Sequence, residues 1–241
     1  MPLNTSQRSN APEIMDDFSL KGELLRDALD KIASINRLLG GNRVTIQGLE
    51  WLLKRKPDLK ETNAEITILD VGCGNGDMLR TLAGYAIKKQ LNVKLVGIDA
   101  NEFTIQHARK LSATYPNITY QCSDIFEEIK QEQAYDVILC TLTLHHFKDD
   151  EIITLMNGFK KRSALGIVIN DLHRSALAYY LFMLLCFVFR LNQMSRDDGL
   201  VSILRGFKKD DLRKFSKQLN FTDDILKWKW AFRYQWIIPA I

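Results

Sequence analysis

The residues best placed to do chemistry fall into two groups. The first is the run Asp70-Val-Gly72-Cys73-Gly74-Asn75-Gly76-Asp77. An apolar stretch ends in an acid, three glycines follow at alternate positions, and a helical pattern opens at Asp77. Glycine tolerates positive φ and lets a ligand approach bare backbone, and N–H groups at a helix start favour a negatively charged group. Such a turn lies where open α/β sheets bind nucleotides, beyond the carboxyl end of the first strand. The second group is the histidines His145, His146 and His173, each expected just after a strand. Histidine is the side chain whose ordinary pKa suits it to take a proton near neutral pH.

These residues need a scaffold of alternating strands and helices. Apolar runs predict strands over 66–71, 93–98, 118–121, 135–141 and 165–170, and helical spacing predicts helices over 77–90, 102–114 and 149–161. This alternation implies βαβ units and a parallel sheet. Asp99 closes the second strand in Val-Gly-Ile-Asp99-Ala100-Asn. A carboxylate there can accept from both hydroxyls of a ribose or simply cap the next helix. Asp124 follows the third strand in Cys-Ser123-Asp124-Ile125, as a ligand contact or a solvated loop acid. Two aromatic β-rich runs, 221–230 and 232–238, suggest an antiparallel pair at the sheet edge.

The glycine spacing is Gly-x-Gly-x-Gly, not the dinucleotide Gly-x-Gly-x-x-Gly. Together with Asp99, Asp124 and Tyr135-Asp-Val-Ile-Leu-Cys140-Thr141-Leu-Thr-Leu-His145-His146-Phe147, it resembles the class I S-adenosylmethionine-dependent methyltransferases, in particular the ubiquinone and menaquinone methyltransferase-like group. The resemblance covers about residues 66–147. The segments at 29–43, 171–174 and 198–207 are similar to bacterial methyltransferases encoded beside type III polyketide synthases. The implied fold is a doubly wound, mostly parallel seven-stranded Rossmann-like sheet with a helical cap, and the implied cofactor is S-adenosyl-L-methionine. By resemblance, Asp70, Gly72, Cys73, Gly74, Gly76, Asp99, Ala100, Ser123, Asp124, Ile125, Cys140 and Thr141 hold the cofactor, with Arg37 or Arg43 near its carboxylate or the acceptor. The expected activity is O-methylation of a phenolic or polyketide-like acceptor. C-methylation of a quinone precursor and a non-catalytic binding module remain as alternatives.

Attack by a phenol requires loss of its proton, so His146 and His173 are the expected bases. His145 is expected to contact the acceptor, or the His-His pair merely fixes its loop. Arg174 either holds an acceptor carboxylate or pairs with Asp171. Residues 175–189 are uncharged and apolar throughout. Fifteen residues make a helix of roughly 22 Å, short of the roughly 30 Å hydrocarbon core of a bilayer. An acceptor lid, a homodimer contact, a membrane-surface dock or core packing would each bury this segment. In the lid reading, Tyr179, Phe182 and Met183 share a helical face with Cys186 and meet a hydrophobic small molecule.

Composition narrows the classes. A net charge of +4, with acids and bases interspersed, lacks the concentrated basic face that nucleic acid demands. The four cysteines lack metal-ligand spacing, so no metal is expected. With no leader-like apolar run at the start, a cytoplasmic location follows. Residues 1–12 are expected as a disordered tail. Residues 13–60 should form the cap, with helices over 18–39 and 45–55, a stop at Gly40-Gly41 and a linker from Pro57-Asp58. The methyltransferase domain is expected over 61–241, with an apolar helical insertion at about 174–206 that includes a polar loop at 195–199.

Overall fold

The computed structural model describes residues 3–56, 62 and 64–240; the linker expected at Pro57-Asp58 lies outside them. One seven-stranded sheet has the order β3-β2-β1-β4-β5-β7-β6. Its strands are β1 Ile66–Val71, β2 Val93–Asp99, β3 Ile118–Cys122, β4 Tyr135–Thr141, β5 Ser163–Leu172, β6 Ile225–Lys229 and β7 Arg233–Pro239. β1 to β5 run parallel, with Leu69 beside Val96 and Ile138. β7 is antiparallel to both β5 and β6, with Ile169 opposite Trp236.

The helices among the described residues are α1 Glu23–Leu38, α2 Gly41–Leu53, α3 Asp77–Lys89, α4 Glu102–Leu111, α5 Ile125–Glu128, α6 Asp149–Arg162, α7 Ala176–Val188, α8 Gln193–Arg205 and α9 Lys209–Gln218. Each central strand is apolar on both faces because helices cover both, as expected for parallel sheets. Val137 and Leu139 of β4 join Leu49, Leu79 and Ile105 from α2, α3 and α4. Ile138 and Cys140 point the other way, onto Phe159, Leu212 and Phe215 from α6 and α9. The first-strand exit thus sits between two packed layers, where it can hold a site.

Several local expectations are corrected. α1 stops at Leu38, just ahead of Gly40-Gly41, but α2 begins at Gly41 rather than at residue 45, with Gly40 in a left-handed conformation as its cap. The first helix starts at Glu23, because Gly22 has φ near 101°. The stretch expected as a polar loop at 195–199 is the first half of α8. Asn192 caps it by accepting from the Ser195 N–H at 2.8 Å, and buried Asp198 accepts from the Ile14 and Met15 N–H groups at 2.6 and 2.9 Å. Polar residues here serve a buried polar contact rather than solvent.

Residues 3–12 are an ordered strap, not a disordered tail. Arg8 donates to the carbonyls of Arg205, His145 and Phe147 at 2.9–3.0 Å and pairs with Asp149 at 2.9 Å. Buried Arg174 donates to the Thr5 carbonyl at 3.1 Å. Two arginines therefore supply the fixation that a polar, aperiodic sequence does not advertise.

Candidate active site

A cavity of about 470 Å³ opens at the carboxyl edge of the sheet. The exits of β1, β2, β3 and β4 form its floor, and a 3-10 turn at Ile14–Asp16 and α1 form its roof. At the β1 exit, Gly72 has φ near 66°, and a Cβ there would collide with the Thr143 side chain. The Gly74 N–H donates to Asp99 Oδ2 at 3.1 Å, and the Asn101 N–H donates to Asp99 Oδ1 at 3.0 Å. Burial pushes the Asp99 carboxyl up. Asp70 Oδ1 is buried without a hydrogen-bond partner. Burial first, and the charge of Asp99 second, push the Asp70 carboxyl up to about 8. Cys73, Ala100, Ser123, Asp124, Ile125 and Thr141 complete this part of the wall. Asp124 also accepts from the Phe126 N–H at 2.6 Å, so it caps α5 while facing the cavity.

Gly76 and Cys140 do not line the cavity. Gly76 starts α3 at φ near 76°, and Tyr120 Oη fills the space where its Cβ would stand. Cys140 is fully buried in the sheet core. Arg37 pairs with Asp77 at 3.1 Å, and Arg43 is exposed; neither is on the cavity wall. The polar end is instead built from Asn36, Asn42, Asn75 and Asp77. Asn42 accepts from Asn36 at 2.6 Å and donates to Asp77 at 2.7 Å.

His146 ends a 3-10 turn, Leu144–His146, and lines the cavity. Its Nδ1 lies 2.8 Å from Asp16 Oδ1. Burial pushes the Asp16 carboxyl up, but hydrogen bonds from His146, the Glu13 backbone and Arg205 outweigh it and hold this acid well below its ordinary range. Arg205 Nη1 sits 2.7 Å from Asp16 Oδ2, and Arg205 also donates to the His146 carbonyl. With the proton on Nδ1, Nε2 carries the lone pair. This is a carboxylate-oriented imidazole, the arrangement that sets a general base.

His145 is buried and off the cavity wall. Its Nδ1 lies 2.7 Å from Asp171 Oδ1, and its backbone N–H donates to Asp171 Oδ2 at 3.2 Å. It pins the turn that presents His146 and does not line the cavity. Glu13, His145 and His146 bring three ligating atoms within 4.8 Å of one another. Arg205 Nη1, 3.5 Å from Glu13 Oε1, already supplies positive charge there.

His173 lies outside the cavity. Its Nδ1 accepts from Trp228 Nε1 at 3.2 Å, and its ring stacks on Phe232. Burial first, then Lys208 and Arg174, push its pKa down. Arg174 pairs with Asp211 at 3.0 Å rather than with Asp171 or a ligand. Tyr179, Phe182 and Met183 are likewise absent from the wall. α7 packs on α8, and it is α8 that meets α1. Phe182 covers Gly199 of α8, its ring filling the space that a Cβ would need. The apolar wall comes instead from Met15, Phe18, Leu25, Leu29 and Ile32, with Phe126 and Phe147. The 4-, 3- and 4-residue steps from Leu25 through Leu29 and Ile32 to Asn36 were the signal available in the sequence.

Sheet order, glycine turn and cavity together define a Rossmann-like, class I methyltransferase fold. Residues 62–173 match the family described as a methyltransferase domain. The chain is 34% identical over 85 residues to a ubiquinone biosynthesis O-methyltransferase of Coxiella burnetii, covering 35% of this chain and 34% of that protein. It is 27% identical over 140 residues to the protein of that name in Rickettsia canadensis, covering 51% of this chain and 56% of that one. The matched part thus spans about a third to a half of the curated relatives' length. Among solved structures, the plantazolicin methyltransferase BpumL, in complex with a monoazolic desmethylPZN analog and SAH, superposes with a TM-score of 0.65 at 18% identity, covering 90% of this chain and 89% of that one. These matches support a class I S-adenosylmethionine-dependent methyltransferase. Among the described residues, no helix is long and apolar enough to cross a membrane.

Proposed function

We propose that this protein transfers a methyl group from S-adenosyl-L-methionine to a hydroxyl of a hydrophobic phenolic or polyketide-like small molecule, with His146 as the base. The observation that carries this reading is the His146–Asp16 pair at 2.8 Å on the wall of a largely apolar cavity. Asp70 and Asp99 fit the cofactor: a buried carboxyl with an unpartnered oxygen suits a cationic, donor-rich ligand. Asp99 would take the ribose hydroxyls, Ser123, Asp124 and Ile125 the base, and the polar end at Asn42 and Asp77 the amino-acid moiety. When bound, the cofactor supplies an electrophilic methyl group on a sulfonium.

The chain's own residues do the rest. Asp16 holds the His146 ring and stabilises the imidazolium that forms when Nε2 takes the acceptor's proton. Arg205 fixes Asp16, and Asp171 with His145 fixes the turn. The apolar residues of α1 exclude water and align the acceptor for in-line attack.

Methylation of a long-chain alkylphenol, with the product identified by NMR, tests the reading. We expect an O-methyl product. His146→Ala should lower turnover by about a hundredfold while sparing affinity for S-adenosylhomocysteine. Asp16→Asn should lose less, and both losses should shrink at high pH, where the phenol ionises unaided. A C-methylated product, or wild-type turnover in His146→Ala at neutral pH, would overturn it.

A further inference from the structure

α7 has the sequence Ala-Leu-Ala-Tyr-Tyr-Leu-Phe-Met-Leu-Leu-Cys-Phe-Val, without one charged or strongly polar side chain. Only Ala178 and Cys186 of this helix are buried. Phe187 is 82% exposed, Leu177 and Leu184 59%, and Tyr180 57%. A patch of this kind on a folded surface marks an interaction site. Since α7 does not line the cavity, the acceptor does not cover it.

The neighbourhood of α7 points to what does. At its amino end, Trp228 donates its indole N–H to His173, three residues before the first helical position. Trp228 and Trp230 are themselves exposed, at 49% and 64%. They alternate with Lys227 and Lys229 in the run Lys-Trp-Lys-Trp. At the carboxyl end of α7 stands Arg190. Lys229 Nζ reaches Gln47 Oε1 at 2.9 Å, and no carboxylate pairs with Arg190, Lys227 or Lys229 among the described residues. The exposed surface therefore combines an all-apolar helix, amphipathic indoles at its amino end and Arg190 at its carboxyl end, while Lys227 and Lys229 lie on the other face of β6, toward Gln47 of α2.

We propose that α7, with Trp228 and Trp230, docks the protein onto an anionic lipid surface. Indole rings favour the headgroup level of a bilayer, and an arginine without a carboxylate partner beside an apolar helix favours anionic headgroups. Thirteen helical residues span roughly 20 Å, too short to cross the roughly 30 Å core. The helix therefore lies in the interface plane. The proposal is independent of which acceptor is methylated.

Co-sedimentation with vesicles tests it, using the full chain and phosphatidylcholine vesicles with or without phosphatidylglycerol. The wild type should pellet with the phosphatidylglycerol vesicles, less so at high salt. Leu184→Asp and Phe187→Asp replace exposed side chains, so the fold tolerates them, and each should weaken partitioning about tenfold or more. Arg190→Glu should weaken the preference for phosphatidylglycerol. Calorimetric affinity for S-adenosylhomocysteine should match the wild type in every variant, which confirms an intact fold. The proposal is overturned if the wild type stays in the supernatant with phosphatidylglycerol vesicles, or if Phe187→Asp pellets as the wild type does. A dimer in sedimentation velocity that Phe187→Asp dissociates, with no vesicle binding, would assign the face to a second copy instead.

Discussion

Asp99 and His146 show how single side chains divide the labour. Asp99 already accepts two backbone N–H groups, from Gly74 and Asn101. Those bonds fix its carboxylate before any ligand arrives, so a ribose would meet a preset acceptor. Asp99→Ala should therefore weaken S-adenosylhomocysteine binding by roughly 1.5–3 kcal/mol, the value of charge-assisted hydrogen bonds. An unchanged dissociation constant by calorimetry would remove Asp99 from the site. His146 and His145 are adjacent in sequence yet have opposite fates. One faces a cavity, and the other is buried on Asp171 with its Nε2 unpartnered. The sequence marks the pair as special but carries no sign of which ring the turn exposes.

At the scale of elements, the N-terminal segment roofs the cavity, a place that the lid reading gave to the apolar insertion. α1 and the turn before it roof the cavity, whereas α7 packs on α8 and faces outward. Leu29→Ala and Ile32→Ala should raise KM for alkylphenols, more for longer chains, because each acceptor methylene left in water weakens binding by about 0.8 kcal/mol. Phe182→Ala with Met183→Ala should leave that chain-length dependence unchanged. If the α7 pair alters it and the α1 pair does not, the roof is assigned to the wrong element. The strap is a second such element. Arg8 ties the His145 and Phe147 carbonyls on either side of His146. Arg8→Ala should cost about 1–3 kcal/mol of stability and speed proteolysis ahead of Asp16. It should also lower kcat by about tenfold through displacement of His146, without changing cofactor affinity. Equal proteolysis and kcat in the variant would show that the strap is ornamental.

For the whole molecule, the buried Asp70 couples stability to pH. Its carboxyl is pushed up to about 8 in the fold, while in an unfolded chain it titrates near 4. Between those values the folded state holds a proton that the unfolded state has released. Stability from this group is therefore complete below about pH 4 and falls as pH rises toward about 8. Asp70→Asn, which keeps shape without the charge, should flatten that slope. Urea midpoints at about pH 5.5 and pH 8 measure it: the variant's advantage over the wild type should grow with pH. An advantage that is constant across this window would mean that Asp70 does not titrate there.

The positions of the central strands and of the glycine turn were legible because parallel sheets write themselves as continuous apolar runs. A glycine turn beginning at an acid has few other uses, and chain-local geometry alone carries a strand, its exit and the helix that follows. The acceptor side was not legible. Its wall is assembled from segments more than a hundred residues apart, and the interactions that assemble it are long-range. Asp16 meets His146 and Arg205, Asp198 holds the backbone at Ile14, and Arg174 grips Thr5. Each of these is a polar residue whose partner lies on another element, so no periodicity announces it. The apolarity of residues 175–189 was fixed by sequence. Whether that surface faces a pocket or the outside depended on which neighbouring helix reached α1 in space, and tertiary packing gave that place to α8.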